Sequence, residues 1–303
     1  MLYQIHHHTQ YHYHQAVLLK PQILRLRPRS DGWQSLQNFA LTVNPQPGGI
    51  SVVNDLDGNC LQRLWFSEPT EQFSLTVDSL VETHVHNPFN FLLEAWALQL
   101  PFDYPTSLYR QLQPYWQSYS IHPDPTAIAL GQEIAQDSQR NPILFLSTLT
   151  ERLYENCNYT VREQGQPWEA GVTWQSKLGS CRDLTVLFME VCRSVGLAAR
   201  FVSGYQEGDQ DIADWELHAW AEVYLPGGGW RGYDPTHGLA VSDRHIALVA
   251  SAMPAYCAPV SGDITPLHPA LKKEKLPPAQ MTNRVKVTVL NPNEGQQWQS
   301  QRS

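Results

Sequence analysis

A nucleophilic cysteine needs conditions that favour the thiolate, a nearby base, and a group that orients the base. Cys181 follows Gly179 and Ser180 and opens a segment in which Leu184, Leu187, Phe188, Val191, Cys192 and Val195 recur at helical spacing. A thiol at a helix N-terminus meets the positive end of the dipole, which favours thiolate. Small residues before it let the backbone turn sharply and leave the sulfur open. Asp183 suits the same first turn, as a charge facing the dipole or as a buried hydrogen-bonding group. His218 is the candidate base and Asp234 the candidate orienting carboxylate. A carboxylate beside an imidazole fixes its tautomer and stabilises the imidazolium. The chemistry implied is acyl transfer through a thioester.

The elements that must hold these residues are legible in the periodicity. The helix from Cys181 carries one apolar face and ends at Gly196, a suitable C-terminal cap. Ala199 to Tyr205 reads as a strand. From His218 to Leu225, Ala219, Ala221, Val223 and Leu225 alternate with His218, Trp220, Glu222 and Tyr224. The turn Pro226-Gly227-Gly228-Gly229 leads into Trp230 to Asp234, so the two runs form an antiparallel hairpin that brings His218 near Asp234. Upstream, Thr126 to Asp137 and Pro142 to Tyr154 are helical, with Pro142 in a first helical position.

The first hundred residues read as β structure. Tyr3, Ile5, Thr9, Tyr11 and Tyr13 share one parity, and Gln4, His6, His8, Gln10, His12 and His14 the other. Short apolar runs near Ile23, Phe39 and Phe73, separated by turns such as Pro47-Gly48-Gly49 and Asp57-Gly58-Asn59, suggest a sandwich-like domain. Pro101 to Pro125 reads as a connector. The tail from Pro254 to Pro278 reads as loop, and Val285 to Leu290 as a last strand. The expected organisation is an N-terminal β domain over 1–95, a helical or irregular connector over 96–145, a catalytic core over 146–250, and a C-terminal extension over 251–303.

Four motifs now stand in order: Gly179-Ser180-Cys181-Arg182-Asp183, Gly196 to Tyr205, His218-Ala219-Trp220, and Gly232-Tyr233-Asp234-Pro235-Thr236. Together they resemble the transglutaminase-like superfamily, in its branch of bacterial cysteine proteases. The gaps of roughly forty and sixteen residues between Cys181, His218 and Asp234 fit a papain-like core. The strand Tyr3 to Tyr13, the run Leu24 to Pro28, and Gly58-Asn59 are similar to the β-rich domain that precedes the core in these bacterial proteins. The resemblance implies an α+β fold with a transglutaminase core after a β-rich N-terminal domain. It also implies the catalytic residues Cys181, His218 and Asp234.

Composition bounds the remaining choices. The 303 residues are 42% hydrophobic and 17% charged, with a formal charge of -8. An acidic chain argues against sequence-independent nucleic-acid binding, which needs a basic surface. No apolar run approaches the ~20 residues of a spanning helix, and no export signal is visible, so no membrane partner and a cytoplasmic location are expected. The five cysteines, Cys60, Cys157, Cys181, Cys192 and Cys257, are sparse and irregular, which fits free thiols in a reducing compartment. Cys192, on an apolar helix face, reads as a small core residue. No CxxC pair marks a zinc site, and the face shared by His6, His8, His12 and His14 has no Cys or carboxylate, so it reads as a solvated sheet face. No cofactor is expected. His237 and His245 have no evident partner in sequence.

The sequence therefore points to a cysteine enzyme acting on a peptide or protein, with hydrolysis of a peptide or amide bond ahead of protein-glutamine cross-linking. Trp168, Trp174 and Trp220 are the tryptophans available to wall a cross-linking site, and loops such as Gln206 to Glu216 are where selectivity is expected. A non-catalytic protein- or glycan-binding module, and a metal-dependent protein using the histidine face, are the readings from other classes.

Overall fold

The computed structural model describes residues 1–162, 165–207, 217–267, 277 and 279–291. Six strands come first: β1 (Leu2–Leu19), β2 (Gln22–Leu24), β3 (Gln34–Asn44), β4 (Gly49–Asn54), β5 (Cys60–Trp65) and β6 (Thr70–Thr83). The helical part follows, with α1 (Thr106–Trp116), α2 (Pro125–Asp137), α3 (Pro142–Asn156), β7 (Asn158–Tyr159), α4 (Ala170–Ser176), β8 (Leu178–Gly179) and α5 (Cys181–Ser194). Then come β9 (Ala199–Gln206), β10 (His218–Leu225), β11 (Gly229–Asp234), β12 (Leu239–Ala240), β13 (His245–Ser251), β14 (Val260–Ser261), β15 (Ile264–Pro266) and β16 (Gln280–Leu290). No helix among the described residues is long and apolar enough to cross a membrane. The architecture is an α+β core with a β-rich N-terminal region.

The period-two pattern of β1 is realised as expected, with Tyr3, Ile5, His7 and Thr9 buried on one face. That strand pairs with β6 on one side, Tyr3 opposite Val81 and Thr9 opposite Leu75. On its other side it pairs with β16, Ile5 opposite Val287 and Thr9 opposite Asn283. The last strand is thus a neighbour of the first. Residues directly opposite in an antiparallel pair share a face, so Thr9, Tyr11, Met281 and Asn283 lie on the same face of the sheet. A second sheet, in the order β14-β2-β5-β4, completes the β-rich part.

Two segments carry elements that the sequence reading did not locate. Pro101 to Pro125 contains helix α1, which carries Pro114 inside it. The proline and the scattered aromatics mask the helical period, and α1 buries only Leu112. Pro254 to Pro278 is not simply loop: a 3₁₀ turn spans Pro254–Cys257, and β14 and β15 pair with β2 and β1. Two- and three-residue strands are too short for any period to show.

The core sheet has the order β12-β11-β10-β9-β13, with α5 packed on β9 and β10. The expected apolar stripe of α5 is present, but the helix is buried nearly all round because α2, α3 and α4 cover its other sides. Each fully buried Leu, Val or Phe there contributes about 1.5–3 kcal/mol. Its buried charges are paired: Glu190 accepts from Ser118, from the Tyr119 backbone N–H at 2.8 Å, and from Arg193 at 3.0 Å. Gly196 takes φ 84°, the left-handed conformation that closes the helix.

Candidate active site

Asp183 fixes the start of α5. Its Oδ2 accepts the Ser180 backbone N–H at 2.8 Å and hydroxyl at 2.7 Å, and its Oδ1 accepts the Trp168 N–H at 2.7 Å and Arg162 at 2.5 Å. Burial alone would raise the Asp183 carboxyl, but Arg162 and the N–H donors outweigh it and hold it below the usual carboxylate range. Asp183 is therefore a buried hydrogen-bonding group. It ties together the helix start that carries Cys181 and the loop that carries Arg162 and Trp168.

The hairpin register sets the other two residues. Ala221 pairs with Tyr233 and Leu225 with Gly229, so continuing one step places Asp234 across from Trp220. His218 lies two residues along the same face, a diagonal neighbour within reach of a long side chain. Its Nε2 lies 2.7 Å from Asp234 Oδ2. Cys181 is the other group that acts on His218, favouring its charged form. Since Nε2 serves Asp234, Nδ1 is the nitrogen left for sulfur. Burial opposes charge on His218, yet Asp234 and Cys181 override it and raise its pKa to about 10. Asp234, fully buried, is held well below the ordinary carboxylate range: its desolvation is outweighed by His218 first and by two further histidines.

Those histidines are His237 and His245, for which sequence gave no partner. His237 Nδ1 lies 2.9 Å and His245 Nε2 3.1 Å from the same Oδ2 of Asp234. His237 sits in the turn three residues after Asp234, where the side chain of an aspartate commonly organises the following backbone. Indeed Oδ1 accepts the backbone N–H groups of Thr236 and His237. That spacing was the available signal for His237. His245, the first residue of β13, arrives through the pairing of β13 with β9, and no local pattern reveals it. Gly204 on β9 makes room for Trp220. A Cβ there would lie 2.5 Å from the Trp220 ring and 2.2 Å from the Ile246 carbonyl. Trp220 fills the space and meets His245 edge to face, ring centroids 5.1 Å apart.

Cys181 and His218 open into a cleft of about 430 Å³, while Asp234 lies behind them. One wall comes from the core, with Arg162, Arg182, Phe201 and Leu217. The outer strands also line the cleft, with Thr9 and Tyr11 of β1 and Met281 and Asn283 of β16. Among the described residues none of Trp168, Trp174 and Trp220 lines it. Trp168 instead lies under the Arg162 guanidinium, 4.1 Å from the ring centroid. The proposed selectivity loop, Gln206 to Glu216, falls at positions 208–216 outside the described residues.

The histidine face of β1 is dispersed among local partners: His6 Nδ1 lies 2.8 Å from Asp78, His8 Nδ1 lies 2.9 Å from Thr76, and His12 Nε2 lies 3.0 Å from Gln10. His7, on the other parity, is buried and bonded to Tyr205 of β9. Among the described residues, the group with metal-ligand proximity is His218, Asp234 and His245, not the strand face.

Residues 3–82 match the bacterial transglutaminase-like N-terminal region, and residues 129–235 match the transglutaminase-like superfamily. An uncharacterised protein of Mycobacterium tuberculosis is 27% identical over 264 residues, covering 81% of this chain and 82% of its own length. A protein-glutamine gamma-glutamyltransferase of Pseudomonas aeruginosa is 28% identical over 145 residues, 45% of this chain and 21% of that protein. A crystal structure of a proposed cysteine protease from Cytophaga hutchinsonii superposes with TM-score 0.71 at 20% identity, covering 96% of this chain and 91% of the other, and so shares the fold.

Proposed function

From the premise that this chain belongs to the transglutaminase-like superfamily, we propose that it is a cysteine-dependent acyl-transfer enzyme whose main reaction is hydrolysis of a peptide or amide bond. The observation that carries this reading is one imidazole, His218, bonded to Asp234 and lining one cleft with Cys181, the sulfur that favours its charged form.

The Cys181 thiolate attacks the carbonyl carbon, and the C=O pair moves to oxygen. The backbone N–H of Cys181, at the helix start with no helical acceptor of its own, is a donor for that oxyanion. His218 as imidazolium gives its Nδ1 proton to the leaving amine as the C–N bond breaks. A thioester remains on Cys181. His218, now neutral, takes a proton from water as it attacks, and the acid leaves while the thiol is restored. The lining residues Thr9, Tyr11, Met281 and Asn283 give the outer strands a part in holding the substrate.

Hydrolysis is favoured over cross-linking because the described cleft has no tryptophan wall to exclude water from the thioester. The test is to trap the thioester with acyl-peptide and glutamine-containing substrates, add a primary amine at millimolar level, and analyse products by mass spectrometry. Mostly free acid is expected. Mostly amide moves the protein to the cross-linking side, and no covalent adduct with any substrate, together with no labelling of Cys181 at neutral pH, leaves a binding module.

A further inference from the structure

The feature that a cysteine–histidine–aspartate arrangement does not require is the crowd around Asp234. Its Oδ2 lies within 3.1 Å of ring nitrogens from three histidines, His218, His237 and His245. Its Oδ1 accepts two backbone N–H groups. A carboxylate only accepts, so each ring nitrogen must present its proton. This fixes His237 as the Nδ1–H form and His245 as the Nε2–H form. Burial lowers the His245 pKa despite the carboxylate beside it. The Oδ1 bonds already set the carboxylate's orientation, so the two extra histidines are not needed to aim it.

We propose that His237 and His245 are positioning residues that act through Asp234, loosening its grip on His218 by sharing the same oxygen. Each donor that a carboxylate accepts makes it a weaker base, and a weaker base holds a neighbouring imidazolium proton less tightly. The mechanism above asks His218 to release and regain a proton in every turnover. General acid–base catalysis is most effective when the group titrates near the working pH. In the resting site Cys181 adds to the pull of Asp234 on His218. Acylation of the sulfur removes that part, and the sharing of Asp234 lowers what remains, so that His218 gives up its proton more readily during thioester hydrolysis. The packing supports a maintained arrangement: Trp220, seated over Gly204, holds the His245 ring edge to face.

The inference rests on the proposed roles of Cys181 and His218, and p-nitrophenyl acetate separates the two. Attack by the Cys181 thiolate on this ester releases p-nitrophenolate and leaves an acetyl thioester. Water then attacks with His218 as base, giving acetate and the free thiol. The burst reports acylation and counts folded sites. The steady state reports deacylation, and its acid limb reads the titration of His218 in the acyl-enzyme. In His237→Ala and His245→Phe the limb is expected to move up by about half to one pH unit. Deacylation at pH 7 falls correspondingly, about three- to tenfold, with a full burst. His237→Asn and His245→Gln each return an N–H near the lost one and are expected to move the limb back. A limb that stays in place or moves down, or Asn and Gln variants no better than Ala and Phe, overturns the inference while the wild-type burst upholds Cys181. If His245→Phe does not fold, the partly exposed His237 pair decides alone. A wild-type protein with no burst overturns the assignment of Cys181 and this inference with it.

Discussion

His7 and Tyr205, 198 positions apart, share a 2.7 Å hydrogen bond in the interior, the Tyr205 hydroxyl donating to Nδ1 of His7. Nε2 of His7 lies 2.7 Å from Asn283 Oδ1 and 2.8 Å from Thr9 Oγ1, and the Thr9 hydroxyl donates to Asn283 at 2.8 Å. Thr9 and Asn283 belong to the cleft wall, so this network ties the first and last strands to the core sheet beside the candidate site.

The network predicts a pH dependence. Burial lowers His7 from its usual 6.5 to about 4, the bond to Asn283 opposing only in part. Between those values the unfolded chain binds the proton and the folded chain does not. The contribution is therefore intact above pH 6.5 and is lost as pH falls toward 4, about 3 kcal/mol over the window. Urea denaturation at several pH values should show this slope in the wild type. In His7→Phe the slope over pH 4–6.5 should be shallower, on a lower overall stability. An unchanged slope would show that other groups produce it.

Among the thiols, Cys181 should react first with limiting iodoacetamide at pH 7. Burial raises Cys192 well above an ordinary thiol, and raises Cys157 and Cys257 as well. Cys60 is partly exposed on β5 and should follow more slowly, having no imidazole partner. Peptide mapping of the alkylated protein reads the order. Faster labelling of another cysteine, with activity kept in Cys181→Ala, would remove Cys181 from the mechanism.

His218→Ala should abolish acyl-enzyme formation. Asp234→Asn keeps the imidazole but removes the charge that stabilises it, and places an amide among three ring N–H donors. In a Ser-His-Asp triad the equivalent change costs roughly 10⁴ in turnover, and under the proposed cysteine mechanism the loss should be smaller. Burst and steady-state rates, with circular dichroism to confirm the fold, measure both. Wild-type rates in either variant would exclude that residue.

Asp183→Ala strands four donors around a buried position, from Ser180, Trp168 and Arg162. Removing one partner of a buried ion pair costs about 3–5 kcal/mol, and a loss in that range is expected from denaturant midpoints. Because the lost bonds hold the start of α5, Cys181 alkylation should also slow. A loss below about 1 kcal/mol would mean that water replaces the carboxylate easily.

What the sequence determined by itself was local. The apolar spacing of α5, the alternation on both sides of the Gly227-Gly228-Gly229 turn, and the strict parity of β1 are written in consecutive residues, so these elements and the order Cys181, His218, Asp234 were legible without a fold. Tertiary structure decided the rest. Which edge of β1 receives Val285 and Val287, which ring meets Asp234 besides His218, and which side chain satisfies His7 all depend on segments scores of residues apart. A histidine looks the same in sequence whether it faces water, as His6 partly does, or a buried carboxylate, as His245 does. The difference lies in register, where a shift of one residue turns every side chain of a strand to the other face, and register between distant strands is settled only when the sheets close on a common core.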